Sequence, residues 1–303
     1  MTKEKAEQII VSSLATMSKE TVVEIGFFGG SFTGIEKELQ AALLDVAKKY
    51  LDAGKVQAVR ISTRPDYIDE ETLSLLKEKG VKTIELGAQS MENSVLLKNH
   101  RGHTAEDTVK AANLIKKAGF GLGLQMMTGL FGDTEETAKK TADTIISLSP
   151  DCVRIYPTLV LKNTRLGQYF ESGIYVPQTL DEAVRLCADL KVKFDEAKIS
   201  VIRMGLMASD NINFDRDVLS GPYHPAFGEL VQSEIYFKKL KKVVRGDCEI
   251  LVNPRDISAF VGNKRSNIKR MKEKKIRIKF VQNTTIPEGT FQILQKKGGA
   301  VCD

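Results

Sequence analysis

The feature that most constrains this chain is a rhythm that runs from near its start to about residue 206. Short apolar runs, Val22–Phe28, Val56–Ser62, Thr83–Ala88, Gly121–Met127, Cys152–Tyr156 and Ile199–Met204, read as strands. Longer amphipathic runs lie between them, over Ile35–Asp52, Asp69–Lys79, Ala105–Ala118, Glu135–Leu148 and Leu180–Ala197. Their apolar residues recur at helical spacing. Thr104 with Asp107, and Asp133 with Glu136, stand at the spacing of helix capping boxes. Strand and helix alternating in this way predict an α/β fold, a parallel sheet covered by helices that is either doubly wound or barrel-like. With 303 residues, 42% of them hydrophobic, the chain can bury one large domain and a smaller one.

Several classes are excluded or disfavoured. No run approaches the roughly 18 apolar residues of a membrane span. The opening "MTKEKAEQII" lacks the apolar core of a signal peptide, so cytoplasmic residence is expected. Cys152, Cys187, Cys248 and Cys302 are too far apart for a CxxC-type cluster and read as idle thiols. His100, His103 and His224 add no zinc-type spacing, so no metal ligands are assigned.

In barrels of this kind the loops after the strands carry the site. The distinctive segments here fall there: "GGSFT", "STRPD", "GAQS", "MTGLFGD" and "YPTLV", one after each of the first five strands. Gly29-Gly30 lets a ligand approach backbone N–H groups, or else serves a tight turn. Arg64 either clamps an anion or forms an internal pair with Asp66 or Glu85. Gly119, Gly121 and Gly123 alternate as one face of a strand, packed against a helix or a ligand. In "NHRGHT", His100 and His103 offer an acid/base pair or a polar capping loop.

Beyond Gly205 the rhythm breaks into an Asn-, Asp-, Gly- and Pro-rich stretch, then resumes as a small α+β pattern. The charge is uneven. Lys238 to Lys279 holds 15 Lys/Arg against 4 Asp/Glu, whereas the remainder is acidic. Within it, "FVGNKRSNIKRMKEK" places a glycine turn inside a helical pair, a KH-like arrangement for clamping a nucleic-acid backbone, with Arg265 where the second glycine would stand. Lys264, Arg265, Lys269 and Arg270 are the candidate RNA contacts, and a solvated basic face is the alternative.

Taken in order, "FFGGSFTGI", "ISTRPDYID", "TIELGAQSM", "RGHTAED", "MMTGLFGDT" and "RIYPTLVLKNTRL" resemble the radical S-adenosylmethionine (SAM) superfamily, in particular its elongator catalytic subunit-like branch and, more distantly, oxygen-independent coproporphyrinogen oxidase. "GPYHPAFGELVQS" is similar to the C-terminal extension of the bacterial relatives. The resemblance covers roughly residues 20 to 237 and implies a partial (β/α)6 TIM-type barrel over residues 1–206 with the extension over 207–237; the small basic α+β unit over 238–303 lies beyond it and is read from charge and pattern. The resemblance implies that Gly29, Gly30 and Ser31 hold the methionine part of SAM. Gln89 and Arg101 would contact its carboxylate or ribose, Gln125 its ribose, and Tyr156 would lie beside the adenine. Where those relatives carry a Glu before "TRPD", this chain carries Ser62.

The family also implies a [4Fe–4S] cluster, held by a CxxxCxxC loop ahead of the glycine motif, that cleaves SAM to a 5′-deoxyadenosyl radical. None of the 28 residues before Gly29 is a cysteine. The expectation is a barrel lacking its first strand, a form truncated before the cluster motif and inactive as given. Its intact counterpart would modify a tRNA or other RNA base. The alternatives are a non-catalytic RNA-binding paralogue, a partner chain that supplies the cluster segment, and a cluster-free enzyme acting on a phosphorylated metabolite.

Overall fold

The structure, a computed structural model, describes residues 1–18, 20–206 and 214–294; Cys302 lies outside the described residues. The first elements are α1 (Lys3–Ala15), β1 (Glu24–Phe27), α2 (Lys37–Asp52), β2 (Ala58–Thr63), α3 (Glu70–Glu78) and β3 (Val81–Gln89). There follow α4 (Asn93–Lys98), α5 (Ala105–Lys117), β4 (Gly121–Thr128), α6 (Glu135–Ser147) and β5 (Cys152–Pro157). Then come β6 (Val160–Leu161), α7 (Arg165–Glu171), α8 (Leu180–Glu196), β7 (Ser200–Met204), α9 (Phe214–Asp217) and β8 (Val218–Ser220). The chain ends on α10 (Phe227–Val243), β9 (Cys248–Val252), α11 (Ile257–Val261), α12 (Ser266–Glu273), β10 (Ile278–Gln282) and β11 (Phe291–Leu294). Among the described residues no helix is long and apolar enough to cross a membrane. Two compact units result, residues 1–158 with 193–203 and residues 159–192 with 204–303.

The first unit is built on a sheet of order β1-β2-β3-β4-β5-β7, with β1 through β5 parallel. This is the curled half-barrel of a partial TIM-type fold. Period-two alternation divides its faces. Val59, Ile61, Ile84, Leu86, Leu122, Leu124, Val153 and Ile155 point to one side and are buried there, the side on which α2, α3, α5 and α6 pack. The other face carries Glu24, Arg60, Glu85, Gln125 and Arg154. The register sets these residues side by side, with Ser62 opposite Glu85 and Gln125 opposite Arg154. Parallel strands buried on both faces usually read as apolar throughout. Here the inner face is polar.

The capping box at Thr104 and Asp107 is present. The one expected at Asp133 and Glu136 is shifted by one residue: Thr134 is the N-cap of α6 and Thr137 its partner. Asp133 instead accepts from the Gly129 N–H at 2.9 Å and the Thr137 hydroxyl at 2.5 Å, closing the loop after β4. Burial, opposed by these bonds, holds its carboxyl above the usual range.

In the second unit β9 lies between β10, parallel to it, and β11, antiparallel. Tyr236, Ile250, Val252, Phe260 and Met271 form its core with α10, α11 and α12. A two-stranded ribbon, β6 with β8, belongs to the same unit.

Candidate functional site

The strand ends of the first unit surround a cavity of about 360 Å³. All seven residues to which the family resemblance assigns SAM line it: Gly29, Gly30, Ser31, Gln89, Arg101, Gln125 and Tyr156. They come from the loop after β1, the end of β3, the loop before α5, and strands β4 and β5. Phe28, Ser62, Thr63, Arg64 and Gly87 complete the wall.

Gly29 has a φ of 101°, and a Cβ placed on either glycine of the pair meets no atom within 4 Å. The pair is therefore open on its outer side, not packed against protein. Gln89 is in the left-handed region at φ 64°, where the β3–β4 register slips. A polar residue held so at a strand end, and 91% buried, marks a strained position of the kind that gathers at ligand sites.

Two guanidiniums stand at the rim, and they differ. Arg64 donates to both oxygens of Asp66, at 2.9 and 2.6 Å, and to the Gly102 carbonyl at 2.9 Å. Of the readings open for it, the internal pair with Asp66 is the one present, and the pair with Glu85 is not. Among the described residues no carboxylate pairs with Arg101, and its buried Nε has no partner. Burial, and next the neighbouring Arg64 charge, push its guanidinium below the ordinary value. An anion in the cavity would relieve both effects.

Beneath the cavity runs a charge network. Glu85, 1% exposed, accepts from Arg60 Nη1 at 2.8 Å and from Arg154 Nε and Nη2 at 2.5 and 2.9 Å. Arg60 also pairs with Glu24 at 2.6 Å. Burial alone would lower both guanidiniums, and the carboxylates outweigh it, so both are raised. Gln125 Nε2 donates to Ser62 Oγ at 3.0 Å, with Glu85 Oε2 at 3.4 Å. Arg154 lies 4.9 Å from the centre of the Phe28 ring, tying the wall to the floor.

A Cβ on Gly123 would sit 2.7 Å from Glu85 Cγ and 3.3 Å from the Cys152 sulfur. Gly123 thus makes room for this carboxylate, whereas a Cβ on Gly121 would meet Thr83 Oγ1 at 3.1 Å and one on Gly119 would meet nothing within 4 Å. Burial, and then the Glu85 charge, push the Cys152 thiol up.

His103 is buried, its ring nitrogens facing the Ala88 carbonyl at 3.1 Å and the Arg101 carbonyl at 3.3 Å. It braces the loop that carries Arg101, as a polar capping residue would. The network of Glu24, Arg60, Glu85 and Arg154 escaped the sequence reading. Its one signal was a charge standing alone in each apolar strand.

A half-barrel with a polar cavity at its strand ends is an architecture that presents small-molecule ligands to strand-end loops. The chain belongs to the radical SAM superfamily: that superfamily's model matches residues 4–145, and the Radical SAM C-terminal domain matches residues 150–236. It is similar to the tRNA uridine(34) acetyltransferase of Methanocaldococcus infernus, 32% identical over 189 residues, which cover 56% of this chain and 35% of that protein. Elongator complex protein 3 of Homo sapiens is 32% identical over 139 residues, covering 44% of this chain and 25% of that one. The solved structure of M. infernus Elp3 superposes with a TM-score of 0.65 at 27% identity, over 79% of this chain and 58% of that chain. The chain thus spans about a third or less of the length of these two curated relatives.

Proposed function

We propose that the strand-end cavity binds S-adenosylmethionine and that the protein serves a tRNA-modifying reaction of the radical SAM type. The observation that carries the reading is the convergence on one cavity of an open glycine pair and a half-buried Arg101 whose Nε has no partner among the described residues. The exposed backbone of Gly29-Gly30 takes the amino-acid end of the ligand, and Arg101 meets its carboxylate. Gln89 shares the carboxylate or ribose, Gln125 takes a ribose hydroxyl from its anchorage on Ser62, and Tyr156 faces the adenine. Support for tRNA comes from the relatives, one of which is named for acting on tRNA uridine.

When bound, SAM together with a [4Fe–4S] cluster supplies the one-electron chemistry of this superfamily. Among the described residues no three Cys, His, Asp or Glu side chains gather as a ligand set. A cluster therefore does not fit the described side chains, and their part is binding and orientation. A second reading is a protein that binds SAM and RNA without radical chemistry.

Calorimetric titration with SAM and S-adenosylhomocysteine tests the main reading. Arg101→Ala should weaken binding roughly 10- to 100-fold, the loss of one charged hydrogen bond. Gly30→Ala meets no protein atom, so it should leave the melting temperature unchanged while obstructing the ligand. No heat of binding in the unaltered protein sinks the proposal. Release of 5′-deoxyadenosine after anaerobic iron–sulfur reconstitution would eliminate the second reading.

A further inference from the structure

The second unit contains its own cavity, of about 540 Å³, lined by residues of α8, α10 and α12 and by the turn between α11 and α12. Gly262 opens that turn at φ 78°, and a Cβ there would lie 2.4 Å from Ser266 Oγ and 2.8 Å from Ser233 Oγ. The turn is thus pressed onto α10. Asn267, fully buried, fastens it: its Nδ2 donates to the Ser233 carbonyl at 2.9 Å, to Ser233 Oγ at 3.0 Å and to the Phe260 carbonyl at 3.1 Å.

Three observations on this rigid turn point to a ligand. Lys264 and Arg265 are both left-handed, at φ 50° and 60°, a conformation unfavourable for residues with a Cβ. Their side chains are exposed, as is that of Lys269, and none of the three has an acidic partner among the described residues. Arg270, by contrast, is bound to Glu234 at 2.6 Å and lies 3.3 Å from the centre of the Phe237 ring. Of the four candidate RNA contacts, Arg270 is therefore committed to the fold and three remain available. Next, α12 has Arg265 as its N-cap and no side-chain cap, so its first N–H groups add positive potential beside those cations. Finally, Asn267 lines the cavity, and its Oδ1 is a buried acceptor without a partner among the described residues.

We propose that the Gly262–Arg265 turn and its cavity bind the sugar–phosphate backbone of single-stranded RNA. Phosphates sit against Lys264, Arg265, Lys269 and the start of α12, and a ribose 2′-hydroxyl donates to Asn267 Oδ1. A lipid headgroup or an acidic peptide would meet the charge but offers no ribose donor. The proposed tRNA substrate informs only the choice of polymer, and the residues involved are different from those of the SAM cavity.

The test is fluorescence anisotropy of the full chain with a short unstructured RNA, the same sequence as DNA, and anionic vesicles. RNA should bind tighter than DNA. The variant Lys264→Gln/Arg265→Gln/Lys269→Gln should lose at least about tenfold in affinity, and its slope of log K against log salt should fall by about 0.7 per removed charge. Arg265→Gly relieves the left-handed residue, so it should keep or raise the melting temperature while still weakening RNA binding. Unchanged affinity and slope in the triple variant overturn the proposal, as does binding to vesicles but not RNA. Equal affinity for RNA and DNA overturns the ribose contact. Loss of SAM binding with RNA binding intact counts against the strand-end reading alone, and the reverse pattern against this one alone.

Discussion

Glu85 is a carboxylate enclosed by two guanidiniums on the inner face of the sheet, with Gly123 giving it space. Removing one partner of a buried pair leaves uncompensated charge and costs about 3–5 kcal/mol. Glu85→Ala should destabilise by that amount in urea denaturation, since Arg60 and Arg154 both lose their shared acceptor. Gly123→Ala, which drives a methyl into Glu85 Cγ, should cost about 1–3 kcal/mol by overpacking. Both changes act on one contact, so the double variant should be less destabilised than the sum. Strict additivity would mean that the glycine answers to some other neighbour. The glycine alternation was legible in the sequence as a strand face made small for something. What it was small for needed the register, because Glu85 is 38 residues away. The same holds for Arg64, whose pairing with Asp66 was one of several open readings until distances chose among them.

At the scale of elements, helices α2, α3, α5, α6 and α8 and the six strands of the large sheet were readable from periodicity, within a few residues, whereas the 17-residue α10 was not read as a helix. The two- and three-residue strands β6 and β8 are shorter than any period-two signal, and helices as brief as α4 and α7 carry too few turns to show a stripe. The start of α6 shows how local chemistry decides a boundary. Asp and Thr are both good caps, and Asp133 is drawn instead to the Gly129 N–H, leaving Thr134 to cap the helix. Thr134→Ala should therefore cost about 1 kcal/mol, whereas Glu136→Ala should be close to neutral. Thermal melts of the two variants check this, and the opposite ranking would restore the Asp133–Glu136 box. The strand-end cavity was legible as a set of ordered motifs, and its seven residues do converge. The wall residues Phe28 and Gly87 stood inside those motifs but drew no role of their own, because an aromatic or a glycine at a strand end has many ordinary uses.

On the scale of the whole molecule, the half-barrel draws its apolar stabilisation from one side of the sheet, where Ile61, Ile84, Leu122 and Val153 meet the helices. The other side is held by charge pairing, which is worth far less per contact once desolvation is counted. At one end of that sheet stands β1, which among the described residues pairs with β2 alone. Its consequence concerns time as well as space. A strand bonded on one side opens more readily than one bonded on both. The amides of Gly26 to Gly30 should therefore exchange with deuterium sooner than those of Ile84 to Leu86 in β3. Saturating S-adenosylhomocysteine should slow the first set and leave the second unchanged. Equal rates without ligand would show β1 to be as firmly seated as the strands at the centre. The glycines that face the cavity thus follow a strand held on one side only, and occupancy of the cavity should register as protection there.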